Sequence, residues 1–245
     1  MRFKNKIALV TGSETGIGDR VVKTLLKEGC RIIGTNFSKS NLKNKKNLEY
    51  YNIDVTKEDE WRKLKSYLQK KYKRLDILIN NAGIRVSGNL EKTSLDLWEN
   101  VLKTNTTSIF LGSKYSLSLL KKSKSASITN LASITSFRGA KNMLAYATSK
   151  SAIVSLTASL SLDLAKFKIR VNAVAPGAIE TQMVTSLKKE INSLSKYNAR
   201  MKEAHPIGRI GLPQEVANLI CFLASDDASF MTGSTVPIDG GRSIR

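Results

Sequence analysis

The sequence predicts a single α/β domain built on a doubly wound parallel sheet with helices on both faces. Three observations carry that prediction. Short apolar runs alternate with longer amphipathic runs along the chain, and a glycine-rich turn separates the first apolar run from the first amphipathic one. No repeat, low-complexity stretch or linker divides the 245 residues. With 41% hydrophobic residues there is enough apolar material for one substantial core.

Residues 6–11 (KIALVT) read as a buried strand, and the glycines after it lead into a helical run through Val21, Val22, Leu25 and Leu26 that ends at Gly29. Residues 31–35 give a second strand and 48–54 a third, followed by a charged helix whose apolar positions are Trp61, Leu64 and Leu68. Residues 75–80 (LDILIN) form a fourth strand, and 94–120 are expected to form one long helix. A fifth strand at 126–131, a long helix at 146–166 and a sixth strand at 169–174 continue the alternation. Residues 181–205 read as helical but interrupted, 213–223 as a helix and 234–238 as a last strand. Strands separated by helices pair in parallel, which closes the prediction of a doubly wound sheet.

Composition excludes several classes. No apolar run approaches the roughly 20 residues that span a bilayer, and the opening Met1-Arg2-Phe3-Lys4-Asn5-Lys6 lacks a signal-peptide pattern, so a cytoplasmic protein is expected. Cys30 and Cys221 are far apart without metal-ligand spacing, and the lone His205 cannot complete a zinc site; neither a disulfide framework nor a metal is expected. The net charge of +20, from 40 Lys and Arg against 20 Asp and Glu, suits an anionic partner without choosing one. Lysines of the region 39–74 alternate with helix-type apolar positions, as a solvated face does. No arginine-rich arm, finger or aromatic-basic motif points to dedicated nucleic-acid binding.

Chemistry concentrates in two places. In Thr11-Gly12-Ser13-Glu14-Thr15-Gly16-Ile17-Gly18 the glycines permit a tight turn and the approach of a phosphate to a helix N-terminus, although an ordinary turn accounts for glycines as well. Asn80-Asn81-Ala82-Gly83 follows the fourth strand at the same end of the sheet. In Tyr146-Ala147-Thr148-Ser149-Lys150 a helix sets a phenol and an ammonium on one face. A free tyrosine titrates near about pH 10, and a neighbouring positive charge would make it a usable acid or base. A solvated helical pair explains that spacing on its own.

Taken in order and spacing, T-G-x-x-x-G-I-G, N-N-A-G, a serine thirteen residues before Y-x-x-x-K, and Pro176-Gly177 after the next strand resemble the short-chain dehydrogenase/reductase family over essentially the whole chain. The resemblance implies a Rossmann-type sheet and an NAD(P)-dependent enzyme that interconverts a ketone and a secondary alcohol by hydride transfer. Its implied catalytic set is Asn105, Ser133, Tyr146 and Lys150. Ser133 would bond the substrate oxygen and Tyr146 would give it a proton. Lys150 would depress the Tyr146 pKa and bind ribose hydroxyls, and Asn105 would hold a relay water.

The implied cofactor contacts are Gly12, Ser13, Thr15, Gly16, Ile17 and Gly18 in the glycine loop, and Asn81, Ala82 and Gly83 after the fourth strand. Asp54 and Val55 would hold adenine, Tyr146 and Lys150 the ribose, and Pro176, Gly177, Ile179 and Thr181 the nicotinamide side. Asn36 stands where NAD-using relatives often carry Asp, and with Ser38 and Lys39 it favours NADP(H) over NAD(H). The stretch 182–205, with Met183, Val184, Leu187, Ile191 and Leu194 beside Lys188, Lys189, Lys196, Arg200 and Lys202, would form a substrate lid; an amphipathic helix packed on its own domain fits it equally.

Within the family the chain is most similar to the bacterial 3-oxoacyl-[acyl-carrier-protein] reductases, which implies a role in fatty acid biosynthesis. An acidic acyl carrier protein would be the partner, met near Lys124, Lys166 and Lys168. A sugar, polyol or small-ketone dehydrogenase is the alternative, and a non-catalytic dinucleotide-binding scaffold is a further one. A homotetramer is also implied, with the helices at 94–120 and 146–166 pairing between subunits.

Overall fold

The computed structural model describes residues 1–37, 44–182 and 194–245. Seven strands form one sheet in the order β3-β2-β1-β4-β5-β6-β7, and every pairing is parallel. They are β1 (Ile7–Thr11), β2 (Arg31–Asn36), β3 (Leu48–Asn52), β4 (Ile77–Asn80), β5 (Ala126–Leu131), β6 (Ile169–Pro176) and β7 (Thr235–Ile238). The helices are α1 (Gly16–Lys27), α2 (Glu58–Lys71), α3 (Leu95–Leu102), α4 (Ser108–Leu120), α5 (Leu144–Ala165), α6 (Leu194–Glu203) and α7 (Pro213–Ala224). Chain order reverses between β1 and β4, and that switch point opens a crevice at the carboxyl ends of the strands.

Strand alternation explains the two cores. Along β1, Ala8 and Val10 face one side with Val21, Val22 and Leu25 of α1 and Val216, Ile220 and Leu223 of α7. Leu9 faces the other, with Trp61, Leu64 and Leu68 of α2 and Leu111 and Leu119 of α4. The same division separates Ile32 from Ile33 and Ile77 and Ile79 from Leu78. A strand with both faces covered favours apolar residues on both, which is why these runs lack polar alternation. β7 pairs with β6 alone, and this edge position tolerates Pro237 inside the strand.

The expected helix over 94–120 is interrupted. Ser94 caps α3, its Oγ accepting from the Leu97 N–H at 3.2 Å. A π-helical turn, Lys103–Thr107, then separates α3 from α4. Such a turn displaces one residue from the regular ladder, and here it carries the fully buried Asn105. Of the expected lid, Met183, Val184, Leu187, Lys188, Lys189 and Ile191 lie outside the described residues, as do Ser38 and Lys39. Among the described residues no helix is long and apolar enough to cross a membrane. Cys30 and Cys221 are free, buried thiols.

Candidate active site

The glycine loop is fastened to its neighbours by backbone and amide contacts. Gly12 adopts φ +62°, a left-handed conformation that favours glycine. A Cβ on Gly18 would collide with the Gly12 carbonyl oxygen, so α1 can start this close to β1 only with glycine there. Thr15 precedes α1 without a side-chain cap, which leaves the first amides of the helix facing the cleft. The N-N-A-G segment locks onto this turn. Asn81 Nδ2 donates to the carbonyls of Thr11 at 3.0 Å and Gly12 at 2.8 Å, while Thr11 Oγ1 accepts from the N–H groups of Asn81 and Ala82. Behind it, Asn80 Nδ2 donates to Asn130 Oδ1 and Asn130 Nδ2 to Thr157, tying β4, β5 and α5 together.

Beside this loop Ser133, Tyr146 and Lys150 converge on a single cleft of about 380 Å³, lined also by Gly12, Gly16, Asn81, Pro176 and Thr181. Ser133 follows β5, and its Oγ accepts from the Thr135 N–H at 3.2 Å. Tyr146 and Lys150 project from the first turns of α5. Lys150 is buried, and its Nζ donates to the Leu131 carbonyl at 2.6 Å and lies 5.8 Å from the centre of the Tyr146 ring. Desolvation pushes the ammonium from 10.5 down to about 8.

Tyr146 departs from the expectation that Lys150 depresses its pKa. Burial raises the phenol, and the opposing influences are a hydrogen bond with Ser133 and the positive charge of Arg85. Lys150 is anchored on the β5 carbonyl, so its charge is not directed at the hydroxyl. Asn105 is tied into the wall of the site by its side chain. Its Nδ2 donates to the Ile84 carbonyl at 2.9 Å and to Ser149 Oγ at 3.0 Å, and its Oδ1 accepts from the Ile84 N–H at 2.8 Å. The side chain braces the loop after β4 against α5, and the π-helical turn gives it the room to do so.

Other sequence-predicted residues lie around the cleft or beyond its wall. Thr15, Ile17, Ala82, Gly83, Gly177 and Ile179 line it. Ser13 is buried, its hydroxyl donating to Asn36 Oδ1 at 3.0 Å, so the two residues clasp β1 to the end of β2. Asp54 accepts from the N–H and hydroxyl of Thr56, and the Val55 carbonyl accepts from Trp61 Nε1, which fixes the turn after β3. Ser38 lies outside the described residues.

Two residues were not singled out by sequence for this site. Arg85, two residues beyond N-N-A-G, lines the cleft, and a basic side chain directly after that motif was the available signal. His205 is buried, and its Nε2 accepts from the Ala178 N–H at 3.1 Å. That assigns the proton to Nδ1, which faces the Met201 carbonyl at 2.5 Å. His205 thus ties the loop after β6 to α6, and only tertiary contact reveals it.

A dinucleotide fits this arrangement. The glycine turn offers uncapped amides for a pyrophosphate at the switch point, and the cleft runs from there to Ser133 and Tyr146.

Comparison with known proteins agrees with this geometry. The family model described as enoyl-(acyl carrier protein) reductase matches residues 12–243. The 3-oxoacyl-[acyl-carrier-protein] reductase FabG of Thermotoga maritima is 35% identical, with 98% of this chain and 99% of that protein covered. Meso-2,3-butanediol dehydrogenase of Serratia marcescens is 33% identical, with coverage of 98% and 96%. The ligand-free structure of Thermoplasma acidophilum aldohexose dehydrogenase superimposes with a TM-score of 0.93 at 33% identity, covering 99% of this chain and 95% of that one.

Proposed function

This chain belongs to the short-chain dehydrogenase/reductase family, and on that premise we propose that it reduces a ketone to a secondary alcohol with NADPH, its substrate being a 3-oxoacyl group on an acyl carrier protein. The observation that carries the reaction is the convergence of Ser133, Tyr146 and Lys150 on one cleft, with the Ser133 hydroxyl acting to lower the Tyr146 phenol. In this reading the Ser133 hydroxyl holds the substrate oxygen, and Tyr146 delivers a proton to it as negative charge develops there. Lys150 binds the cofactor ribose from its seat on the Leu131 carbonyl, and Asn105 keeps the loop after β4 in place. When bound, the nicotinamide supplies the hydride; the residues named here orient it and manage the proton.

Asn36 supports NADP over NAD, because the end of β2 presents an amide with no negative charge to repel a 2′-phosphate. Identity to carrier-protein reductases supports the thioester substrate, and the charge of +20 would speed an encounter with an acidic carrier. A second reading, oxidation of a sugar or polyol, draws on the likeness to aldohexose and butanediol dehydrogenases. The stretch 182–205 acts in both readings as the substrate cover, supported by Gln182 and Met201 on the cleft wall. Phe110 and Leu162, exposed on the outer faces of α4 and α5, support pairing of these helices in a homotetramer. Buried thiols without a disulfide suit the cytoplasm.

Replacing Tyr146 by Phe tests the reaction. Reduction of an acetoacetyl thioester, followed by NADPH absorbance, is expected to fall by about 10²-fold or more while NADPH binding persists. Undiminished turnover would rule out Tyr146 as proton donor. NADH run in parallel tests the cofactor, and a ribose or butanediol oxidation that outpaces thioester reduction would favour the second reading.

A further inference from the structure

The cleft contains a polar subsite that the reaction at Tyr146 does not use. Arg85 Nη1 and Thr135 Oγ1 both belong to residues lining the cleft, and both atoms are buried without a hydrogen-bond partner among the described residues. The other end of the guanidinium makes one weak contact, from Nη2 to Met143 Sδ at 3.6 Å. No described residue lining the cleft is an Asp or Glu, and Arg85 enters no ion pair among the described residues.

A guanidinium carries five donors and a permanent charge, and leaving one of its nitrogens buried and unpaired, as Arg85 Nη1 is, is costly. The Thr135 hydroxyl, left unbonded in the same cleft, adds to that cost, since a buried polar group without a partner loses its full hydration. Such groups persist in an active-site cleft when a ligand completes them. The required ligand group is an oxygen acceptor, and it lies in the same cleft as the Ser133–Tyr146 pair that would hold the reacting carbonyl.

We propose that Arg85 and Thr135 form a subsite for a second oxygen of the substrate, a carboxyl-derived oxygen carried beside the reacting ketone. The inference rests on the ketone reduction proposed above and narrows its substrate to 3-oxoacyl chemistry. Two sources present such an oxygen: the carbonyl of a 3-oxoacyl thioester and the carboxylate of a free oxo acid. A simple ketone or a sugar carbonyl presents none. Arg85 here is a specificity-determining residue; proton transfer stays with Tyr146.

The test compares acetoacetyl thioester, acetoacetate and 2-butanone as substrates for the wild type, Arg85→Met and Thr135→Val, with NADPH affinity and thermal melting measured on each protein. Arg85→Gln replaces the methionine variant if that fails to fold. The readout is the ratio of kcat/KM on each acetoacetyl substrate to kcat/KM on 2-butanone, which cancels any influence of Arg85 on Tyr146 shared by all ketones. Loss of a hydrogen bond to a charged group corresponds to a fall in that ratio of about 10- to 150-fold for Arg85→Met, with a smaller fall for Thr135→Val. A larger fall on acetoacetate identifies the oxo acid as the preferred source, and a larger fall on the thioester identifies the carrier-bound form. An unchanged ratio in folded, NADPH-binding variants overturns the subsite and leaves the ketone reductase standing. A wild type that reduces none of the three with NADPH or NADH overturns the activity and the subsite together.

Discussion

Replacing Lys150 by Met separates what this residue costs the fold from what it gives the site. The ammonium is buried, and its titration lies at about 8, against 10.5 for a free lysine. Because the folded value is the lower one, the charged lysine destabilises the native state. The penalty is present in full below about pH 8, shrinks as pH rises towards 10.5, and vanishes above it. Each pH unit in that window corresponds to about 1.4 kcal/mol, so the whole penalty is about 3 kcal/mol. Methionine has similar length and no charge, but it forfeits the charge-assisted bond to the Leu131 carbonyl, worth about 1.5 kcal/mol. The apo variant is therefore expected to be about 2 kcal/mol more stable than wild type near neutral pH while losing turnover. Urea unfolding, followed by the fluorescence of Trp61 and Trp98 at fixed protein concentration, measures the difference. Raising pH from about 7 to about 9.5 is expected to close the gap by about 2 kcal/mol. A gap that stays constant over this interval would refute the argument, because it would mean that the ammonium keeps its hydration in the folded protein.

Two further substitutions address the cofactor end. Gly18→Ala places a methyl group against the Gly12 carbonyl oxygen and 2.7 Å from Asn81 Nδ2; a loss of about 1–3 kcal/mol in stability and of NADPH binding is expected, checked by melting and fluorescence titration. Asn36→Asp puts a carboxylate at the end of β2 while Ser13 can still donate to it; the ratio of NADPH to NADH affinity is expected to fall by about tenfold or more, and steady-state kinetics with both nucleotides checks it.

The sheet was legible because both its faces are covered. In β1 and β4 alternation of apolar with polar residues is absent, and runs such as Ile77-Leu78-Ile79 send neighbours into different cores, so each reads as a continuous apolar segment. The cleft was legible for another reason: Gly12, Gly18, Asn81, Ser133 and the Tyr146–Lys150 spacing are each constrained by backbone geometry or by helix period, and both leave traces in sequence order. Asn105 shows where this ended. A helix over 94–120 satisfies the apolar pattern, and the Asn105 amide carried by the π-helical turn bonds to Ile84 and Ser149, partners 21 and 44 residues away. His205 is similar, its role resting on a contact with Ala178 that spacing cannot encode. The direction of the Tyr146 shift was equally hidden, since it turns on where Lys150 Nζ points and on an arginine in another loop.

The opposite displacements of Tyr146 and Lys150 have one physical origin and a consequence for the proposed reaction. Burial favours the neutral form of each, raising the phenol and lowering the ammonium. At neutral pH Tyr146 therefore holds its proton, which is the form that reduction requires; oxidation requires the phenolate. The influences that draw the phenol back down, Ser133 and Arg85, line the cleft, whereas Lys150 is held by Leu131. A substrate carboxylate paired with Arg85 offsets one of those influences and leaves Tyr146 still more firmly protonated, whereas a neutral thioester carbonyl leaves the charge of Arg85 in place. In the proposed enzyme Arg85 thus selects the substrate, while burial keeps the Tyr146 proton donor loaded for reduction.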